Sequence, residues 1–239
     1  MTRGRSWTRW IWALPAAAML MAMLACSAGT DDGAEPTAVP VEATKAVSEP
    51  LQRPTPTESG EDSSGGFEGD TGSGETYGEY VAVTDDLGAI QVEVPASWSD
   101  VNGEPWTTDN GAEFASVYAA PNLDEFVNSW GTPGLQFNVT EDKEKLGGHI
   151  QVLDGTRSYD FLAECELDSR YDYDDGYYRG AYDYYEDCNG TADYMILAAV
   201  PKQGSDDILI LLEVQIVSDA DFDAAERILQ TFDIVGSLP

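Results

Sequence analysis

The chain has 239 residues and carries 12 Lys plus Arg against 44 Asp plus Glu, a formal charge of −32. A balance this acidic excludes nucleic acid as a ligand, because phosphate binding rests on clustered Lys and Arg. It gives a soluble, self-repelling surface and no electrostatic help in holding to anionic lipid.

Arg3, Arg5 and Arg9, with no acid among them, precede an apolar run of 16 residues from Trp10 to Ala25, broken by Pro15. A charged stretch followed by a short apolar one is the pattern of a secretory signal. The run falls short of the about 20 apolar residues of a spanning helix, and its proline weakens a helix further. Export followed by cleavage is therefore expected, with residues 1–25 as the signal. Leu24-Ala25-Cys26 resembles the lipobox of bacterial lipoproteins, with Met23 where leucine is usual. The resemblance implies that Cys26 becomes the first mature residue and carries at least two acyl chains, enough for stable anchoring on the extracytoplasmic face of a membrane. The alternative is an ordinary signal cut nearby, with Cys26 incidental.

Residues 26–77 are mainly Asp, Glu, Gly, Ser, Thr and Pro, with few bulky apolar residues beyond Val39, Val41, Val47, Leu51 and Phe67. Low hydrophobicity with excess acid cannot offset the entropy of ordering. The expectation is a disordered stalk of about 50 residues, spanning on the order of 40 Å as a flexible coil. Residues 78–239 have the size of a single domain.

Within that domain, Tyr80 to Thr84 and Ala89 to Val94 read as a hairpin with one face buried, the second run alternating Ile90, Val92 and Val94 against Gln91 and Glu93. Pro95 ends the ladder, and Trp98 is expected to plug the core edge, with surface recognition by Trp98 or Trp106 as the alternative. Glu113 to Ala119 is a third strand. Asn122 caps a short helix with Leu123, Phe126, Val127 and Trp130 on one stripe. Leu135 to Thr140 is a fourth strand, and Glu141 to Leu146 a helical turn that Ile150 to Leu153 continues. Tyr194 to Val200 and Ile208 to Val217 are the most apolar runs, expected at the centre of the sheet and buried on both faces. Ser218 caps the last helix, whose inward stripe is Phe222, Ala225, Ile228, Leu229 and Phe232. Ile234 and Val235 add a short final strand.

The stretch from Cys165 to Cys188 is the most unusual. Folded about Gly176-Tyr177, a turn that wants Gly first, it brings Cys165 opposite Cys188. With Cys26 assigned to lipid, these two form an even pair in an oxidising compartment, and a disulfide is expected. Closing a loop of this length contributes about 3 kcal/mol by chain entropy. A zinc pair is the competing reading, but the only histidine, His149, lies far off and no third cysteine remains. The fold-back puts Cys165, Leu167, Tyr171, Tyr173, Tyr178, Tyr182, Tyr184 and Cys188 on one face. Glu166, Asp168, Asp172, Asp174, Asp183 and Asp187 lie on the other with Arg170 and Arg179, so one face packs and one meets water. Tyr171, Tyr173, Tyr182 and Tyr184 are the candidate partner surface, since Tyr joins apolar area to hydrogen bonding. For the acidic face, Asp172, Asp174, Asp183 and Asp187 are either a solvated surface or a hard-cation site. An EF-hand loop fails, because its first, third and twelfth positions would be Tyr171, Tyr173 and Tyr182.

Gly88 to Trp98 and Ile228 to Phe232, in this order of elements, resemble the PsbP/Mog1-like α+β fold, a mainly antiparallel twisted sheet with two or three helices packed on it. The chain is also similar to an acidic module of bacterial lipoproteins and of exported trypsin-like proteases, in which Ser218-Asp219-Ala220-Asp221 and the two-cysteine segment recur in similar form. The resemblance covers about Tyr80 to Val235 and implies protein contact and assembly. It carries over no catalytic residue. No Gly-x-Ser-x-Gly elbow or Gly-rich phosphate loop accompanies His149, so no enzyme and no cofactor is expected. The function expected is a non-catalytic, membrane-anchored module with a protein partner, or else a divalent-cation or small-solute binder. Asn138-Val139-Thr140 and Asn189-Gly190-Thr191 match the glycosylation pattern by coincidence.

Overall fold

Alternation of β-branched and aromatic residues, punctuated by Gly and Pro, dictates a strand-rich domain. The computed structural model, which describes residues 76–239, has this form. In chain order the strands are β1 (Tyr80–Thr84), β2 (Ile90–Pro95), β3 (Asp100–Asn102), β4 (Trp106–Thr107) and β5 (Glu113–Ala120). Then come α1 (Leu123–Asn128), β6 (Gly134–Thr140), α2 (Lys143–Leu146), α3 (His149–Thr156) and a 3-10 turn (Asp160–Glu164). The chain ends with β7 (Glu166–Asp174), β8 (Tyr178–Cys188), β9 (Ala192–Pro201), β10 (Leu209–Ile216), α4 (Asp219–Thr231) and β11 (Asp233–Ile234). The signal, Cys26 and nearly all of the expected stalk lie outside the described residues.

The strands form an antiparallel sheet in the order β3-β5-β6-β10-β9-β8-β7, with β4 beside β5, and a small second sheet, β1-β2-β11. This is an α+β architecture. As expected, β9 and β10 are central, and their period of two sends alternate side chains to opposite faces. Met195, Leu197, Leu212 and Val214 join α4 and the small sheet in one core, while Tyr194, Ile196 and Ala198 join a second with Trp130, Leu153 and Leu162.

Side-chain caps fix where α1 and α4 begin. Asn122 accepts the Glu125 amide at 3.1 Å. At α4, Ser218 Oγ accepts the Asp221 amide at 3.3 Å, while Asp221 Oδ2 accepts Ser218 Oγ–H at 2.7 Å and the Val217 amide at 3.2 Å. These reciprocal bonds satisfy donors that a helix start leaves open. The expected stripe of α4 is buried throughout. That of α1 is not: Phe126 is buried and Leu123 half-buried, but Val127 is exposed, and Trp130 lies beyond the helix end.

Before α4 is reached, Trp98 plugs the core edge, 1% exposed, and its indole N–H donates to Tyr77 Oη at 3.2 Å. Tyr77 in turn donates to Asp221 Oδ1 at 2.5 Å. Trp106 is not a free surface ring. It stacks on Phe114 at 4.5 Å and donates to Asn138 Oδ1 at 3.0 Å. Its short strand and β3 both lie between the second and third expected strands.

The hairpin keeps its expected register from Asp174 and Arg179 to Ser169 and Tyr184. Gly176, at φ +90°, makes the turn that a side chain would strain. Two irregularities then intervene. Asp168 is skipped in the ladder, and β8 slips against β9 between Tyr185 and Cys188, where Asp187 takes φ +54°. The slip reverses the parity of the strand end. Cys188 therefore points into the core of Trp130 and Tyr194, away from Tyr182 and Tyr184. The expected sharing of one face by both cysteines and the tyrosines is thus incorrect, although the Cys165–Cys188 disulfide is present.

Candidate functional site

Burial corrects the expected partner surface. Tyr173, Tyr182 and Tyr184 are only 6%, 5% and 1% exposed. Tyr173 Oη lies 3.0 Å from Asp175 Oδ2 and 3.2 Å from the Leu229 carbonyl under α4, and Tyr184 donates to Asp193 Oδ2 at 2.8 Å. Tyr171 alone of the four is half-exposed, stacked on Tyr182 at 5.1 Å. These rings are core, because α4 and the small sheet cover the face that displays them.

The opposite face is solvated at Glu166, Asp168, Asp172, Asp174, Arg179 and Asp187, all exposed, and departs from that expectation at Asp183. Helix α3 packs on β8 and β9, and beneath it Asp183 is fully buried. Its carboxylate accepts from Arg170 at 2.6 and 2.8 Å and from Arg157 at 3.0 and 3.2 Å. Burial pushes Asp183 up, but the two guanidinium groups prevail and hold it below the usual carboxylate range. Asp174 pairs with Lys202 at 2.9 Å, Asp172 is exposed in mid-strand, and Asp187 sits at the distant bulge. The four carboxylates do not converge, and among the described residues no group of three or more His, Cys, Asp or Glu is placed to hold a metal ion. His149 opens α3, where burial and then the charges of Arg179 and Lys143 push it below its usual value.

Two concavities stand out among the described residues. A depression of about 530 Å³ lies between the β8–β9 turn and the start of α4, edged by Glu186, Asp187, Asp193 and Asp219. Burial and neighbouring acids raise Glu186 there. Three of its carboxylates flank the turn, Asp219 opens α4, and Asp193 is occupied by Tyr184.

The narrower cleft, about 300 Å³, is built differently. One wall is α1 and its exit, with Phe126, Val127 and Trp130, and the other is the 3-10 turn, with Phe161 and Glu164. The floor is the second face of the central strands, where Gln136, Tyr194 and Gln215 alternate against apolar neighbours. Gln215 Nε2 donates to the Ser129 and Thr132 carbonyls at 2.9 and 2.7 Å, which fixes the exit of α1. Gly134 lets the Phe126 ring lie directly on the sheet, at the place a Cβ would occupy. The disulfide holds the opposite wall, helped by the Asn189 amide, which donates to the Glu164 carbonyl at 2.8 Å.

Trp130, Phe161 and Tyr194 stand 5.5 to 5.9 Å apart between ring centres. The Trp130 indole donates to Glu164 Oε2 at 3.1 Å, and Tyr194 donates to Glu213 Oε2 at 2.5 Å. Glu213 is 3% exposed, opposite Gln136 in the ladder, and among the described residues no Lys or Arg pairs with it. The sequence pattern assigns Trp130 to the core and does not single out Phe161, Glu164 or Glu213. A signal is nonetheless there, since Gln136 with Asn138 and Glu213 with Gln215 are polar at every second position of two central strands.

Among the described residues no helix is long and apolar enough to cross a membrane. No protein-family model matches the chain, and a search of curated proteins finds no match either.

Proposed function

We propose that this protein is a lipoprotein held by Cys26 on the extracytoplasmic face of a membrane, and that its PsbP/Mog1-like domain is a non-catalytic module binding a small solute between α1 and the 3-10 turn. The observation that carries the reading is the aromatic-walled cleft of about 300 Å³ over a polar sheet floor, a size and composition at the lower end of small-molecule sites. Both walls are tied in place by long-range bonds, which lowers the ordering cost of binding. The rival reading, protein contact through the hairpin tyrosines, loses its surface to burial.

The test is thermal unfolding of the detergent-solubilised full chain against a panel of water-soluble metabolites. The variant Val127→Trp, altered at an exposed cleft residue, serves as the blocked control. A solute that raises Tm in the native chain and not in the variant is expected. No shift from any member of the panel, or equal shifts in both chains, overturns the proposal.

A further inference from the structure

We infer that the solute taken by this cleft is an organic cation, a substituted ammonium whose alkyl groups meet the aromatic wall. The inference rests on the cleft being a small-solute site and adds its ligand chemistry. Charge gives the first reason. Glu164 stands exposed in the wall, and Glu213 is buried next to the lining residues Gln136 and Tyr194; among the described residues no Lys or Arg pairs with either. A buried carboxylate without a cation is costly, and a positive ligand in the neighbouring cleft offsets part of that cost. The surrounding chain adds to the field, since removing the three signal arginines leaves nine cations against 44 carboxylates, and an excess of one sign of charge raises the local concentration of the opposite ion.

The rings give the second reason, and they select the kind of cation. A metal such as Ca²⁺ needs six to eight converging oxygens. This cleft is instead lined by a single carboxylate, Glu164, and by the rings of Trp130, Phe161 and Tyr194. The rings pack on one another, and all three line the cleft. Aromatic faces attract cations through the ring quadrupole, most effectively when the ion is poorly hydrated. An alkylated ammonium meets that condition and also buries its methyl groups, whereas a hydrated inorganic ion does neither.

The test uses two probes of the same shape, choline and its neutral carbon analogue 3,3-dimethylbutan-1-ol. Binding to the full chain is read at the Trp130 indole N–H resonance, assigned through Trp130→Phe. At physiological salt, choline is expected to shift that resonance saturably and to bind about tenfold or more tightly than the neutral analogue. Glu164→Gln keeps an acceptor for the indole and removes only the charge, so it should weaken choline about tenfold and leave the neutral probe unchanged. Equal binding of the two probes overturns the inference while the small-solute reading stands. Occupation of the cleft by some neutral metabolite of the panel, with choline excluded, overturns it in the same way. Absence of binding by either probe and by the whole panel overturns both.

Discussion

Replacing Asp183 by Asn tests whether the charged face of the hairpin is an internal clasp. The native carboxylate is fully buried and accepts four bonds of 2.6 to 3.2 Å from Arg170 and Arg157. Removing one partner from a buried ion pair costs roughly 3–5 kcal/mol, because the other charge is stranded. Here the stranded groups have relief, since the Arg157 and Arg170 side chains are 39% and 22% exposed and can rehydrate. The lower end, about 3 kcal/mol, is therefore expected. For a domain of roughly 160 residues that corresponds to a fall in Tm of about 6–12 °C. The native Asp183 value is depressed, so its stabilisation is complete above the unfolded carboxylate value of about 4 and is lost as pH falls through the folded value. Urea unfolding followed by circular dichroism should thus show a gap between native and Asp183→Asn that is full at about pH 7 and shrinks towards about pH 3. A gap below about 1 kcal/mol, typical of surface pairs, or one that does not change with pH, would refute the reasoning.

Three further expectations follow from the same geometry. Replacing Cys165 and Cys188 by Ser should cost about 3 kcal/mol in urea unfolding, and an unchanged midpoint would mean that the unfolded chain gains nothing from the cut. A Cβ on Gly180 would run into the Ala198 carbonyl across the β8–β9 ladder, so Gly180→Ala should lose about 1–3 kcal/mol by overpacking; a soluble variant of native stability would contradict the close approach. Cys26→Ser should release the protein from the membrane fraction, and mass spectrometry of the native amino terminus should find a diacylated cysteine; an unmodified cysteine with the signal attached would refute the anchor.

Some of this is legible in the residues because local rules are obeyed. Gly176 and the alternation of Tyr with Asp set the hairpin register, and Ser218 with Asp221 announces α4. Other features depend on partners distant in sequence. Nothing within β8 reveals that Asp187 adopts a left-handed backbone and turns Cys188 to the other face. Asp183 looks like a solvent residue until α3 brings Arg157 over it, and α3, with its internal Gly155, has no long apolar stripe to advertise that role. The cleft is hidden for a related reason: the Ile-Leu run of β10 reads as near-continuously apolar, which obscures the alternate positions of Glu213 and Gln215.

The bonds of Tyr77 bear on how the domain withstands traction from the polypeptide that precedes it. Tyr77 meets Tyr80 and Trp98 edge-on at 6.5 and 6.2 Å and donates to Asp221 at 2.5 Å. A pull on the leading segment is therefore received by an indole and by the opening turn of a helix near the carboxyl end before it reaches β1, an edge strand paired only with β2. Burial and the Asp221 bond raise the Tyr77 phenol to about 12, so this grip stays protonated throughout the neutral range. Strain then enters where two rings and a helix start share it, and the outermost strand is spared the first share of any drag.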